Sequence, residues 1–436
     1  MRLKDIFTID FFLLFASLGL TIIGILFIYS SGITSTGIQN SDEWSKQIVW
    51  ASIGLLFMMV IAFVDYRRLR DLAVYFYLGA LVLLLYTFLF GRLVNGARAW
   101  IGIGSFGVQP SEFTKITTIL CLARYLEDTK RKPESFIRFL VSCIIVFVPM
   151  LTILIQPDFG TALVFIPILL TMCFIANIRL RYIVFLALCM GLTSILMILP
   201  IWFTYVRKES LSPVMLLVNF KFIVSAVGAL GVIGAVALIS YLLYRKAYFF
   251  WIVYMITILA FALSVSFASH KVLKNYQIMR LSVFLDPSID PQGAGWNIIQ
   301  SVIAIGSGGL KGKGFLHGTQ SHYRFLPEQS TDFIFSIFSE EWGFVGGIFI
   351  FTCFLVICLR LVRIIRVSTD VFGASITAGL SGMYCFHFLI NVGMTMGIMP
   401  ITGIPLTFMS YGGSAILSAM IGLGLAQSIF IRRLEH

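Results

Sequence analysis

The sequence predicts an all-α polytopic membrane protein, and three observations support this fold class. Of the 436 residues, 59% are hydrophobic and only 12% are charged. The apolar residues come in runs of about 17 to 23, the length that an α-helix needs to cross about 30 Å of hydrocarbon. The basic residues, which give a net charge of +12, cluster at the ends of these runs. That placement is typical of positive-inside topology, so we do not expect nucleic acid as a partner.

The apolar runs predict about twelve membrane helices. The first, residues 11–29, follows Arg2 and Lys4 and is too long for the core of a signal peptide, so we expect it to be retained. An even number of spans places both termini on one side, and most loop cations fall on that side if it is the cytoplasm. We therefore expect cytoplasmic termini and a single integral membrane domain over residues 1–436. The other eleven runs are residues 48–64, 72–90, 113–126, 139–155, 161–176, 182–203, 222–244, 248–267, 333–359, 374–396 and 415–431.

Three longer segments on the opposite, outer face carry most of the remaining basic residues. They are residues 91–115, 204–221 and 269–331, and we expect the last to be a large extracytoplasmic loop. Its end, residues 326–335 (LPEQSTDFIF), lies among charges beside long apolar segments. Such charges cost free energy unless they are solvated, paired or used. We therefore take residues 296–346, centred on this stretch, as the candidate active site, with these charged residues in it: Lys311, Lys313, Arg324, Glu328, Asp332, Glu340 and Glu341.

Pro110, Ser111 and Glu112 predict the start of a helix in the first outer segment, because Ser is favoured at the N-cap and an acid in the first turn. Glu112 and Lys115 are three residues apart and so share one face of that helix. The spacing fits a functional pair and equally fits an ion pair that only offsets two charges near the membrane.

Other polar residues have structural interpretations from their positions alone. Asp158, in the tight turn at residues 156–161 (QPDFGT), fits the N-cap of the next helix. Trp100 fits an aromatic anchor at the membrane interface. His387 and Asn391, four residues apart in one apolar run, share a helix face and are expected to hydrogen-bond to other helices.

Residues 306–314 (GSGGLKGKG) invite a phosphate-loop interpretation, because small residues let backbone N–H groups approach an anion. The pattern fails as a nucleotide loop, since Ser307 stands at the first glycine and Gly314 at the final hydroxyl residue. A flexible cationic loop near a lipid phosphate is left open. The seven cysteines lie inside apolar runs, and His317 and His322 have no partners at zinc-binding spacing, so the sequence assigns no metal ligands.

Five stretches of the sequence resemble one family. They are residues 95–115 (NGARAWIGIGSFGVQPSEFTK), 156–161 (QPDFGT), 284–320 (FLDPSIDPQGAGWNIIQSVIAIGSGGLKGKGFLHGTQ), 326–335 (LPEQSTDFIF) and 400–414 (PITGIPLTFMSYGGS). In this order they resemble the shape, elongation, division and sporulation family of bacterial cell-wall polymerases. GKGFLHGTQ and ITGIPL are more similar to the elongation member than to the division member.

The resemblance implies a peptidoglycan glycosyltransferase that polymerises lipid II during cell-wall elongation and rod-shape maintenance. It would act on the outer face of the bacterial cytoplasmic membrane, joining the C4 hydroxyl of one disaccharide to the anomeric carbon of another and releasing polyprenyl pyrophosphate. Asp332 matches the family's essential acid and is expected to be the base, because a sugar hydroxyl is a weak nucleophile. Alternatively, Asp332 fits a helix N-cap beside Thr331.

The leaving pyrophosphate needs cations more than a second acid. The resemblance further implies that Glu112 and Lys115 form a functional ion pair. A divalent cation, Mg²⁺ or Mn²⁺, could assist, and no organic cofactor is expected. Substrate-binding roles are expected for outer residues that match motif positions or supply charge: Arg98, Trp100, Glu112, Lys115, Asp158, Lys311, Lys313, Arg324 and Glu328.

Members of the family usually have ten membrane helices, so we expect an inserted helical hairpin within residues 204–267. The expected partners are a class B penicillin-binding protein (a transpeptidase), other elongation-complex proteins, lipid II and membrane lipids. Two rival functions stay open: a lipid II flippase, or a scaffold for a transpeptidase. A flippase should line a route through the full membrane depth, whereas the charges clustered here lie near one face.

Overall fold

The computed structural model describes residues 9–34, 36–94, 97–103, 106–131, 133–208, 213–273 and 275–434. Arg2 and Lys4, which contributed to the predicted orientation, lie outside these residues. The chain divides into two compact units, a core unit (residues 1–178 and 300–436) and a middle unit (residues 179–299).

The described elements are almost all helical, and a three-stranded antiparallel sheet interrupts them. In chain order they are α1 (Phe11–Gly32), α2 (Glu43–Phe63), α3 (Arg68–Phe90), β1 (Arg92–Val94), β2 (Ala97–Ile103), β3 (Phe106–Val108), α4 (Pro110–Asp128), α5 (Phe136–Ile155), α6 (Phe159–Leu163), α7 (Phe165–Ile175), α8 (Leu180–Ile201), a π-helical turn (Trp202–Val206), a 3₁₀ turn (Pro213–Val218), α9 (Phe220–Tyr244), α10 (Ala247–Val272), α11 (Asn275–Leu285), a 3₁₀ turn (Pro287–Ile289), α12 (Ala294–Ser307), α13 (Thr319–His322), α14 (Ile334–Val367), α15 (Val371–Thr395), α16 (Gly413–Ile431) and a 3₁₀ turn (Arg432–Leu434).

Ten of the described helices are long and apolar enough to cross a membrane, which confirms the prediction of a helical multi-pass membrane protein. The two other predicted spans differ from these ten in composition or length. α4 carries five charged residues, and α6 with α7 forms a shorter apolar segment, Phe159–Ile175. The count of twelve and the cytoplasmic position of the termini stay predictions.

Among the ten helices long and apolar enough to cross a membrane, α15 and α16 are the most buried, at 67% and 83% of an 18-residue stretch. α16 packs on α2, and α15 packs on α4, α7 and α14. Close approach depends on small residues, since hydrophobic burial does not drive helices together in lipid. A Cβ at Gly24 would lie 2.5 Å from the carbonyl oxygen of Met409, and one at Gly424 would lie 2.7 Å from that of Met58.

A buried polar cluster joins three helices of the core unit. Asp10 caps α1 by accepting from the N–H of Leu13 at 3.2 Å. Its carboxylate also accepts from Arg360 of α14 at 2.7 Å. Gln427 of α16 bonds to both the N–H and the carbonyl oxygen of Asp10, each at 2.9 Å. Together these bonds hold α1, α14 and α16 in one arrangement.

The middle unit contains the predicted hairpin. α9 and α10 pack on each other and are joined by Arg245, which caps α9 with a left-handed φ of 50°, and Lys246. Whether this pair is an insertion relative to other family members stays a prediction. The predicted outer loop at residues 269–331 is itself largely helical, since α11, α12 and α13 lie within it.

Candidate active site

Three segments that are distant in the sequence meet at the loop of residues 401–405, and one of them carries Asp332. Asp332 lies in the turn before α14, and its side chain is partly exposed. A Cβ added at Gly403 would lie 3.7 Å from Asp332 Oδ2, so the loop at residues 401–405 faces the carboxylate. Gly403 has a φ of +72°, which glycine adopts without strain. The same loop contacts Gly160, whose Cβ would lie 2.3 Å from the carbonyl oxygen of Thr402. The motifs LPEQSTDFIF, PITGIPL and QPDFGT therefore converge.

The alternative interpretation of Asp332 as a helix N-cap is wrong. α14 begins at Ile334, and its N-cap residue is Phe333, one residue after Asp332. The turn is held instead by Asn391 of α15, whose Nδ2 donates to the main-chain oxygen of Asp332 at 3.0 Å.

Glu112 and Lys115 form a buried ion pair in the core unit. Lys115 Nζ lies 2.8 Å from Glu112 Oε1, and the two side chains are 1% and 6% exposed. Nζ also lies 3.2 Å from His387 Nε2 of α15. Ser418 of α16 donates to Glu112 Oε2 at 3.1 Å. The predicted pair is thus present, and it joins three helices.

His387 acts as an acceptor in this cluster. Its Nδ1 lies 3.3 Å from the carbonyl oxygen of Pro405, which can only accept, so Nδ1 carries the proton. Nε2 then accepts from the Lys115 ammonium. Sequence reasoning gave His387 only a general hydrogen-bonding role. A signal was available, because a titratable residue inside an apolar run usually has a polar partner.

Asp158 lies beside the same pair and caps α6, as predicted. Its Oδ1 accepts from the N–H of Thr161 at 3.1 Å, and its Oδ2 accepts from Gln109 Nε2 at 2.8 Å. Burial and the nearby Glu112 raise the pKa of Asp158.

Gln109 is itself the N-cap of α4, which begins at Pro110. Ser111, the predicted start, therefore already lies inside the helix. The hydrogen bond from Gln109 to Asp158 therefore connects the turn at residues 156–161 to the start of α4, the helix that carries Glu112 and Lys115.

The glycine-rich loop, residues 306–314, bonds through its backbone to α14 where that helix is interrupted. Gly343 interrupts the helix with φ 64° and ψ −161°. The carbonyl groups freed before the break accept from the N–H groups of Lys313 and Gly314 at 3.0 and 2.9 Å. The N–H groups after the break donate to the carbonyl oxygens of Gly309 and Leu310 at 2.9 and 3.1 Å. The loop that was left open as a flexible phosphate contact is therefore bound to the helix through its backbone.

Glu340 is wholly buried beside this loop and accepts several hydrogen bonds. Lys313 Nζ lies 2.6 Å from its Oε1 and is 28% exposed on the loop surface. Thr319 donates to Glu340 through both its N–H and its hydroxyl, at 2.9 and 2.8 Å, and the N–H of Gln320 donates at 3.1 Å. Lys313 is therefore engaged in an ion pair within the protein.

The remaining predicted residues lie at the surface of the core unit. Trp100 is partly buried and packs on Gly107 in the hairpin of β2 and β3, where a Cβ would lie 3.0 Å from the indole ring. The other four have exposed side chains: Arg98, Lys311, Arg324 and Glu328. The predicted site residues thus fall into separate groups. Asp332 lies in the turn before α14, Glu112 and Lys115 lie beside Asp158, Lys313 pairs with Glu340, and the remaining residues lie at the surface.

No group of three or more His, Cys, Asp or Glu side chains in the described part of the chain is arranged to hold a metal ion. A cleft of about 790 Å³ between α14, α15 and the end of α12 is lined by apolar and small uncharged residues. Chemistry on a charged substrate is therefore expected at the Asp332 turn and not in this cleft.

Comparison with known proteins identifies the family. The family model FTSW_RODA_SPOVE, described as "Cell cycle protein", matches residues 11–222 and 203–433. The chain belongs to the FtsW/RodA/SpoVE family. It is 48% identical over 440 residues to "Peptidoglycan glycosyltransferase RodA" of Treponema pallidum (strain Nichols), with both chains covered in full. The resemblance drawn from the motifs is therefore confirmed.

Two further relatives are less similar to this chain. The chain is 31% identical over 412 residues to "Peptidoglycan glycosyltransferase MrdB" of Escherichia coli (strain K12), covering 94% of this chain and 91% of the relative. It is 31% identical over 429 residues to "Stage V sporulation protein E" of Bacillus subtilis (strain 168), covering 96% of each.

Solved structures share the fold. One, described as "Structural coordination of polymerization and crosslinking by a peptidoglycan synthase complex", aligns with a TM-score of 0.68 at 26% identity, covering 98% of this chain and 99% of the other. The Rod shape determining protein RodA of Thermus thermophilus aligns with a TM-score of 0.61 at 22% identity, covering 98% of each.

Proposed function

We propose that this protein is a peptidoglycan glycosyltransferase that polymerises lipid II on the outer face of the bacterial cytoplasmic membrane. The observation that carries the proposal is the meeting of three motif segments at the loop of residues 401–405, where the partly exposed carboxylate of Asp332 faces Gly403. The relatives from T. pallidum and E. coli, which align along nearly the whole chain, are both named peptidoglycan glycosyltransferases.

The proposed chemistry assigns the base to Asp332. Its carboxylate takes the proton of the acceptor C4 hydroxyl as that oxygen bonds to the anomeric carbon of the donor. The bond from the anomeric carbon to the pyrophosphate oxygen breaks, and polyprenyl pyrophosphate leaves with the bonding electrons. The Asp332 carboxylate suits this proton transfer because it is partly exposed at the surface. Its turn is fixed by the hydrogen bond from Asn391 to the main-chain oxygen of Asp332.

The pyrophosphate is proposed to meet the exposed cations Arg98, Lys311 and Arg324, whose side chains reach the surface. Lys115 and Lys313 are already bonded to acids, so we assign them to holding the site together. A divalent cation, Mg²⁺ or Mn²⁺, would add charge on the pyrophosphate. Since the described residues offer no three-ligand group, such a cation would be held mainly by the substrate phosphates, as is usual for Mg²⁺.

The proposal extends to the membrane face and to a partner. With the predicted orientation, a reporter fused near Gly318 should lie outside the cytoplasm and one after Arg245 should lie inside. A reporter at Gly318 that lies inside would put the site on the wrong face. A class B penicillin-binding protein is the proposed partner, since the aligned structure of the "peptidoglycan synthase complex" joins polymerisation with crosslinking.

The decisive experiment is glycan synthesis from purified lipid II, with and without the penicillin-binding protein. Asp332→Asn should lower the rate by about a hundredfold to ten-thousandfold, the usual cost of losing a general base. Partner binding should survive, because the N-cap of α14 is Phe333. Asp42→Asn makes the same change at an exposed acid of the core unit and should leave the rate unchanged.

Two results would count against the proposal. A parent protein that makes no glycan with its partner present would favour the flippase or scaffold interpretation. An Asp332→Asn rate within a few-fold of the parent would remove Asp332 as the base. Addition of EDTA to the same reaction tests the divalent cation separately.

A further inference from the structure

Asn391 is wholly buried in α15, and its side chain bonds to two different loops. Nδ2 donates to the carbonyl oxygen of Asp332 at 3.0 Å and to that of Ile404 at 2.8 Å. Both hydrogens of the amide are thereby used. The orientation of the amide is chemically fixed, because a flipped amide would place Oδ1 against two carbonyl oxygens.

The other polar atom of the Asn391 side chain, Oδ1, takes no part in these two bonds. Asn391 Oδ1 is buried and has no hydrogen-bond partner among the described residues. A buried acceptor left unsatisfied costs free energy comparable to what one or two neutral hydrogen bonds contribute.

The two carbonyl groups belong to the two segments that enclose the Asp332 carboxylate. One is that of Asp332 itself. The other, that of Ile404, immediately follows Gly403, whose Cβ would lie 3.7 Å from Asp332 Oδ2. Asn391 therefore fixes the turn that carries the acid and the loop that faces it to the same helix.

One helical turn earlier, α15 makes a parallel connection. His387 bonds to Lys115 at 3.2 Å and to the carbonyl oxygen of Pro405 at 3.3 Å. Pro405 is the neighbour of Ile404, so both side chains hold the same loop. One face of α15, which carries His387 and Asn391, thus bonds both to the buried ion pair and to the Asp332 turn.

We propose that Asn391 is a positioning residue for sugar transfer, setting the place of the Asp332 carboxylate against the Gly403 loop. The inference rests on the proposed function, since it acts through the base assigned there. It predicts that loss of Asn391 lowers turnover with little change in substrate binding. A displacement of about 1 Å at a reacting group can lower a rate on the order of a hundredfold.

The test compares variants of the full chain, purified with the partner and assayed on lipid II. Asn391→Ala should lower kcat on the order of a hundredfold, with KM changed by less than about threefold. Asn391→Ser, whose hydroxyl can still donate to one carbonyl, should recover part of the loss. Thr377→Val is the control, because Thr377 is buried in the same helix and bonds only within it as far as the described contacts go, to the carbonyl oxygen of Gly373 at 3.0 Å.

A double-variant cycle separates positioning from a general structural effect. If Asn391 acts through Asp332, then Asp332→Asn combined with Asn391→Ala is no slower than Asp332→Asn alone. Effects that multiply would overturn the inference, as would normal turnover in Asn391→Ala. Activity retained in Asp332→Asn would instead overturn the proposed base. If Asn391→Ala fails to elute as a folded protein, the same cycle with Asn391→Ser decides.

Discussion

Two buried acids among the described residues of the core unit, Glu112 and Glu340, each pair with a lysine, but their surroundings differ. Glu112 and its partner Lys115 lie on one helix, and both side chains are nearly buried, at 6% and 1% exposure. Glu340 has no exposed surface, but its partner Lys313 comes from a loop and is 28% exposed. The first pair is therefore shielded from water and salt, whereas the second reaches the surface.

The other contacts of the two acids show what each pair does. His387 and Ser418, from two further helices, complete the Glu112 pair, which therefore links α4, α15 and α16. Thr319 and Gln320, from the loop region itself, complete the Glu340 pair, which therefore secures one loop against a broken helix. Loss of the first should be felt across the core unit, and loss of the second should stay local.

The largest effect is expected from Lys115→Ala. It leaves Glu112 buried without its cation, and breaking a buried pair in this way costs about 3–5 kcal/mol. We expect a lower unfolding temperature and strongly reduced glycan synthesis at matched protein amounts, measured by thermal unfolding in detergent and by lipid II polymerisation.

The double variant Glu112→Gln with Lys115→Met is the control for charge burial. It removes both charges and should regain most of the lost stability. If the pair serves only to offset two charges, this variant also regains activity. Stable protein that remains inactive would show that the pair takes part in function.

Gly343→Ala should have the next largest effect, because it disturbs the helix break on which the Glu340 pair depends. A Cβ there would lie 2.3 Å from the backbone nitrogen of Gly312, at a φ of 64°. Strain of this kind costs about 3 kcal/mol. Gly347→Ala, in the same helix with nothing within 4 Å, should instead stabilise by up to about 1 kcal/mol. Equal unfolding temperatures for the two variants would contradict the described break.

The smallest effect is expected at the two lysines of the glycine-rich loop. Lys313→Ala should cost about 1–2 kcal/mol, since Glu340 keeps its other donors and Lys313 is partly exposed. Lys311→Ala should change stability by less than about 0.5 kcal/mol, because its side chain is exposed. If Lys311 meets the pyrophosphate, Lys311→Ala raises KM for lipid II while Lys313→Ala does not. The reverse pattern would reassign the two residues.

The helices could largely be predicted from the sequence, because the bilayer fixes the length of an apolar run. α4 fits this rule least well, since the predicted run at residues 113–126 contains Lys115 and Arg124. The Glu112–Lys115 pair was also predictable, because residues three apart on a helix are neighbours whatever surrounds them. The N-cap at Asp332 was not, because helix ends shift by a residue or two with their tertiary contacts.

Contacts between distant segments could not be predicted from spacing. His387 and Lys115 are 272 residues apart, and their contact depends on how α4 packs on α15. Lys313 was expected to bind a phosphate. The sequence does not show that α14 breaks at Gly343, 30 residues later, or that the buried acid Glu340 lies just before this break. Such features arise from packing among helices, which single-chain periodicity does not encode.

The break in α14 also restricts how long the glycine-rich loop can be. Four backbone hydrogen bonds between residues 309–314 and the interrupted helix replace those that a continuous helix would make. A backbone N–H or C=O group left without a partner away from water is costly. Inserting or deleting one residue between Gly309 and Gly314 would shift the partners of these bonds out of register. A segment with the composition of a tolerant surface loop is therefore held to a fixed length, and changes of length should be confined to positions outside it.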